Sequence, residues 1–349
     1  IRKEKGHALL EPTPILKRPL PAAIPDRTDL ESAVASVFIQ DVYVGKGLAG
    51  VPRGIIKSLR VIAYNFGYIG LAGTDKIGLS GPWEAMRILG AAPVNNDGSA
   101  SFYIPANTPV AFQALDGEGK AIQLMRSWFT AMPGEAVSCV GCHERTHQAP
   151  PTYNGKSVYG APAPLTPWYG PARGFDFARE VQPVLNRYCI SCHNDEGDMP
   201  DLRPEAQVTD YTGRAPGYYD RTRMHPVHKA KYGGNVKYTP AYEALLPYIR
   251  RVSIGDAVNI LNPGHYHADT SELIQMLQNG HYGVTLDAAS WRRIVTWIDL
   301  NGPCHGTWQE VFACPIPDKG HERRRELAAL YGGPAQDPET VSGPEYYDE

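Results

Sequence analysis

Four of the six cysteines fall in two copies of one pattern, CVGCH from Cys139 to His143 and CISCH from Cys189 to His193. C-x-x-C-H is the attachment signature of c-type haem. Each part has a chemical job. The two thiols add across the haem vinyl groups as thioethers, and two intervening residues give them the right reach. The adjacent histidine is then placed beneath the iron as its proximal ligand. Two such pentapeptides in one chain with six cysteines do not arise by chance. Cys139, Cys142, Cys189 and Cys192 are therefore read as the covalent anchors of two haem c groups, with His143 and His193 on the two irons.

Two rival chemistries use the same dipeptide spacing. A four-cysteine zinc site pairs C-x-x-C units about 15–20 residues apart. Here the gap from Cys142 to Cys189 is far longer, and zinc has no need of a histidine after both pairs. A thioredoxin-like dithiol belongs at a strand-to-helix turn inside a βαβ pattern, and none is visible. Haem of this type is attached outside the cytoplasm, so the chain is expected to be periplasmic or extracellular, or in an equivalent compartment. There Cys304 and Cys314 could close a short disulfide loop; the alternative is two buried free thiols.

The sixth ligands are less sharply marked. For the second haem, the loop NGHYGVTLD before a C-terminal helical stretch offers His281, which would give a bis-histidine site. His281 could instead cap a helix or meet a propionate, and His267 in GHYHADTS is the next candidate. Met199 and Met276 are weaker choices, because Met276 falls on an apolar helical stripe and reads as core. For the first haem, His147 lies one helical turn beyond His143. It could stand beside the iron or at the surface, take the iron itself, or reach another metal. His225 and His228 in RMHPVHK are free candidates, as easily surface groups.

The elements that must position these groups divide the chain. Residues 1–30 are proline-rich and basic, an extended arm in which proline blocks both helix and central strand. Residues 31–148 read as a β-sandwich ending in the first haem motif. Runs rich in Val, Ile, Phe and Tyr at 35–44, 59–69, 99–106, 109–115 and 121–129 are separated by turn clusters such as NNDGS and DGEGK. The close spacing of the last three predicts an antiparallel meander. Residues 149–174 are Pro, Gly and Tyr-rich and read as a linker. From 175 to 315 the period turns helical. Phe177, Val181, Val184 and Leu185 share a face that leads into the second motif. Leu273, Met276 and Leu277 share another, stopped at Gly280. Asp287 can cap a helix with Trp291, Ile294, Val295 and Ile298 on its apolar stripe, ended by Gly302 and Pro303. This is the layout of a small cytochrome c domain, and 316–349 reads as a tail. The expected class is α+β and multidomain.

Composition sets the outer bounds. The chain has 349 residues and a net charge of −3, so no basic field draws nucleic acid or anionic lipid. No run approaches the roughly 18 apolar residues of a membrane span, and no signal peptide is visible. Opening on Ile1 rather than Met, the chain reads as a processed or trimmed product.

Three long stretches carry a family resemblance: LLEPTPILKRPLPAAIPDRTD, GSASFYIPANTPVAFQALDGEGKAIQLMRSWFTAMPGEAVSCVGCHE, and HADTSELIQMLQNGHYGVTLDAASWRRIVTWIDLNGPCHGTW. They resemble the hydrazine synthase alpha subunit and its relatives over nearly the whole chain. The resemblance implies a middle domain with one c-type haem and a C-terminal cytochrome domain with the second, the chain beginning where a β-propeller would end. In that family a tyrosine four residues after the first motif histidine holds the iron and leaves a position open. His147 stands there in this chain. The leading expectation is a dihaem electron carrier that docks with other redox proteins or haem subunits, or self-associates. Twenty tyrosines provide amphipathic contact surface for that. The alternatives are a redox enzyme acting on a small nitrogen compound at the first haem, and a haem-bearing structural subunit.

Overall fold

The computed structural model describes residues 25–68, 76–80, 82, 84–143, 160–194, 196, 199–204, 238–253, 256, 260–311 and 318–340, with Lys5, 13–17, Pro19 and Ala22 of the arm. Seven strands precede the helices: β1 (Val34–Ile39), β2 (Ser58–Asn65), β3 (Ala85–Pro93), β4 (Ala100–Pro105), β5 (Val110–Leu115), β6 (Ala121–Leu124) and β7 (Ala136–Cys139). They form two sheets, one ordered β4-β1-β7 and the other β3-β2-β5-β6. Residues from both line one buried core: Val37 and Ile39 of β1 and Phe102 and Ile104 of β4 meet Leu59, Val61 and Ala63 of β2. Phe102 and Phe112 cross the gap edge to face, their ring centres 5.3 Å apart.

The expected meander is corrected by this pairing. β5 and β6 form an antiparallel hairpin. β4 instead pairs with β1 in the other sheet, Val37 opposite Phe102. Phe102 and Ile104 then point inward from the opposite layer, which a continuous meander could not arrange. β7 lies parallel to β1, with Ile39 opposite Cys139, so the first motif starts on a strand paired to the sheet.

The second sheet is buried on both faces. Along β2, side chains alternate between the sandwich core and a second cluster that holds Ile62, Met86 and Ile88 together with the helices. That cluster takes in α1 (Phe177–Glu180), α2 (Gln182–Tyr188), α3 (Pro240–Leu245), α4 (Glu272–Gln278), α5 (Ala288–Asp299) and α6 (Trp308–Val311). Fully buried Trp297 lies at its centre against Phe177, ring centres 5.2 Å apart. The helices start and stop as their sequences dictate. Asp287 accepts the Ser290 N–H at the head of α5, and Gly280 takes a φ of 85° just past α4, a conformation that favours glycine.

Residues 160–174, read as part of a linker, are laid against the sheets by isolated bridges of Ala163 to Phe102, Thr166 to Ala91 and Gly174 to Arg87. The stretch 316–349, read as a tail, contains a thirteen-residue helix, α7 (Asp318–Leu330). It docks on the sandwich where Arg324 donates to the carbonyls of Phe66 and Gly67 at 2.6 and 2.7 Å. Among the described residues, no helix is long and apolar enough to cross a membrane.

Candidate functional site

The second motif grows directly from α2. Its apolar face, Val184 and Leu185, is buried. The helix closes with the Cys189 N–H on the Leu185 carbonyl, 2.8 Å, and the His193 N–H continues the turn onto the Cys189 carbonyl, 2.9 Å. Asp287 ties this end to the start of α5. Its Oδ2 accepts the Tyr188 hydroxyl at 2.8 Å and Arg187 at 3.0 Å. The hydrogen bonds from Ser290 and Tyr188 hold the Asp287 carboxyl below its usual range.

His193 Nδ1 lies 3.1 Å from the Pro200 carbonyl oxygen. A ring nitrogen facing a carbonyl must carry the proton, which leaves Nε2 with its lone pair free for a metal. On the other side, the ring of His281 faces His193 with centres 6.0 Å apart and planes within 28°. Metal–nitrogen bonds of about 2 Å put the centres of two imidazoles on opposite faces of one ion about 6 Å apart. That spacing is the one two imidazoles sharing an iron would need, so His193 and His281 could hold a haem iron between them, with Cys189 and Cys192 a turn away to take its thioether bonds. Both rings are half-buried. His281 is carried by a 3-10 turn, His281–Gly283, whose Tyr282 is exposed and sets its ring edge-on to His281 at 5.0 Å.

The other sequence candidates lie elsewhere. His267 is buried beside Arg60 and Asp299, where desolvation first and the Arg60 charge second push it down to about 4. Met276 packs against the helical core, and Met199 is exposed. Cys304 is a buried free thiol, while Cys314, His147, His225 and His228 lie outside the described residues. Among the described residues, no three or more His, Cys, Asp and Glu side chains converge, so the two cysteine pairs do not meet as a zinc cage would require. Burial, then the neighbouring Cys192, pushes the Cys189 thiol up to about 11. A redox dithiol needs the opposite shift.

The first motif is held by a loop. After β1, the Gln40 and Asp41 N–H groups donate to the carbonyls of Cys139 and Val140 at 2.9 and 3.0 Å, and the Gly47 N–H to that of Cys142 at 3.0 Å. Gly45 has a φ of 101°, and a side chain there would collide with the Cys142 carbonyl. Cys139 and Cys142 pack against the sandwich core, while His143 is exposed with a φ of 65°. Sequence reasoning missed this loop and the Pro200 carbonyl. A proline seven residues after the motif histidine, and glycines at 45 and 47 after a strand, were the available signals.

Comparison with known proteins comes to the same ground. Residues 54–144, from just before β2 through the first motif, match the family model described as the hydrazine synthase alpha subunit middle domain. Among solved structures, Kuenenia stuttgartiensis hydrazine synthase is similar over 79 % of this chain, with 18 % identity and a TM-score of 0.54. That likeness is one of fold, and the chain covers 44 % of the length of its counterpart. No curated protein matches. Residues 54–144 thus match the hydrazine synthase alpha subunit middle domain, and the fold of the chain is similar to that of hydrazine synthase.

Proposed function

We propose that this chain is an extracytoplasmic dihaem c-type cytochrome that transfers electrons, working beside other haem subunits or redox proteins. The observation that carries this reading is the opposed His193–His281 pair, with His193 oriented by the Pro200 carbonyl. Haem c, when bound, supplies a one-electron iron couple. The chain's own residues do the rest. Cys189 and Cys192 would anchor the group, and His193 and His281 would both hold its iron and so keep substrate from it. Two imidazole ligands would keep the potential below that of a His/Met site. The part left to the protein is burial, ligand choice and spacing.

A second reading attaches to the first motif alone. It lies within the matched middle domain, and among the described residues His143 makes no ring contact comparable to that of His193. An open position there would support chemistry on a small nitrogen compound.

Expression with c-type maturation, followed by haem quantitation and electron paramagnetic resonance, tests both readings. Two haems per chain with only low-spin signals and no carbon monoxide binding is the expected result for a carrier. One high-spin haem that binds the gas would transfer the assignment to an enzyme. A chain matured without covalent haem would refute both.

A further inference from the structure

Far from either haem motif in sequence, α7 and the segment after it close a cavity of about 280 Å3 over the edge of the second sheet. Its walls include Tyr64, Tyr68, Asn107 and His321, and three guanidinium groups, Arg87, Arg324 and Arg325, face it with Asp337. Arg324 is already engaged. It donates to two carbonyls and lies over the Tyr68 ring, 3.8 Å from its centre. His321 is engaged too, between the Tyr68 hydroxyl at 3.0 Å and the Asp337 carboxylate at 2.8 Å.

Arg87 is different. It projects from β3, is 6 % exposed, and its Nε is buried without a hydrogen-bond partner. A buried cation is normally paired or neutralised, because desolvation is otherwise uncompensated. Two carboxylates are near enough to favour its charge, but both are committed elsewhere: Asp337 to His321, and Glu339 to Asn65 and the Gln309 N–H. A guanidinium presents a planar fork of donors that matches an oxyanion. We propose that this cavity binds a small oxyanion-bearing molecule, a carboxylate or an inorganic oxyanion, seated on Arg87 with the tyrosine rings as its walls. The volume suits a ligand of a few to about a dozen heavy atoms, just below the usual range for drug-sized sites.

The test is calorimetric titration of the haem-loaded full chain with phosphate, sulfate, acetate and benzoate at constant ionic strength, with chloride as control. At least one oxyanion should give saturable one-to-one binding that chloride does not reproduce. Binding of acetate or benzoate alone would identify an organic carboxylate; binding of phosphate or sulfate alone would identify an inorganic ligand. Arg87→Met should weaken binding by roughly tenfold or more. Ala328→Phe, which fills the cavity from α7 and keeps every guanidinium, should do the same, and it carries the test if Arg87→Met does not fold. Absence of saturable binding by all four probes, or undiminished affinity in either folded variant, would overturn the proposal.

Discussion

His281 stands between Gly280 and Gly283 on a turn that holds its half-buried ring 6.0 Å from that of His193. If that ring fills the sixth position, His281→Ala should convert the second haem from low to high spin and let the reduced form bind carbon monoxide. His281→Met should restore a low-spin site at a higher potential. An unchanged spectrum in His281→Ala would remove His281 from the iron. His267 offers a separate reading through pH. Burial holds it near 4, below its ordinary 6.5, so the unfolded chain takes up a proton before the folded one does. Its contribution to stability is complete above pH 6.5 and is lost as pH falls toward 4. Relative to His267→Gln, the natural chain should lose roughly 3 kcal/mol across that window, at about 1.4 kcal/mol per pK unit. Denaturant titrations of both proteins at pH 7 and pH 4.5 measure the difference directly, whatever the buried carboxylates such as Asp299 contribute to each. A constant difference would mean that His267 titrates normally.

At the level of elements, the first motif depends on how closely the loop after β1 approaches it. Gly45→Ala must strain a φ of 101° and also push a methyl group into the Cys142 carbonyl, whereas Gly54→Ala meets only strain, at a φ of 87° with open space around it. The control should cost about 1 kcal/mol and Gly45→Ala about 2 kcal/mol or more. Mass spectrometry of matured protein should show a one-haem fraction for Gly45→Ala only; equal effects of the two substitutions would sink the close-approach argument. The same contrast explains what the sequence made legible. Both motifs, the helix faces and the caps at Asp287 and Gly280 are local, set by residues within a turn or two, and could be read directly. β3 could not. Its run AMRILGAAP is rich in Ala and holds an interior Gly90, both poor strand residues, and Leu89 is extruded as a bulge where Val61 pairs Gly90 and Ile62 pairs Ile88. Pairing of β4 with β1 across 60-odd residues is likewise a tertiary choice that spacing cannot announce. The opposition of His281 to His193 was reachable only as a position in a loop.

At the scale of the whole molecule, the question is whether the sandwich and the helical half are two folding units or one. The sheet between them is buried on both faces, and a polar cluster pins its centre to α5. Arg60 of β2 donates to Gln113 at 2.5 Å and to Thr296 at 3.1 Å, and its guanidinium lies 3.8 Å from the Asp299 carboxylate. Asp299 in turn accepts the N–H groups of Ala121 and Ala268, both at 2.9 Å, so one carboxylate joins β6, the 3-10 turn at Ala268–Thr270 and α5. All of these groups are buried, and removing one partner leaves the other's charge uncompensated. Arg60→Met should therefore destabilise by about 3–5 kcal/mol. The informative point is where that loss is felt. If the halves unfold together, the slowest-exchanging amides of β4, in the outer sheet, and of α5 open only with the whole chain. Hydrogen exchange should then show both losing the same protection in Arg60→Met. Protection lost in α5 alone, with β4 unmoved, would mean that the sandwich stands by itself and that the helical half is a separable module docked on it.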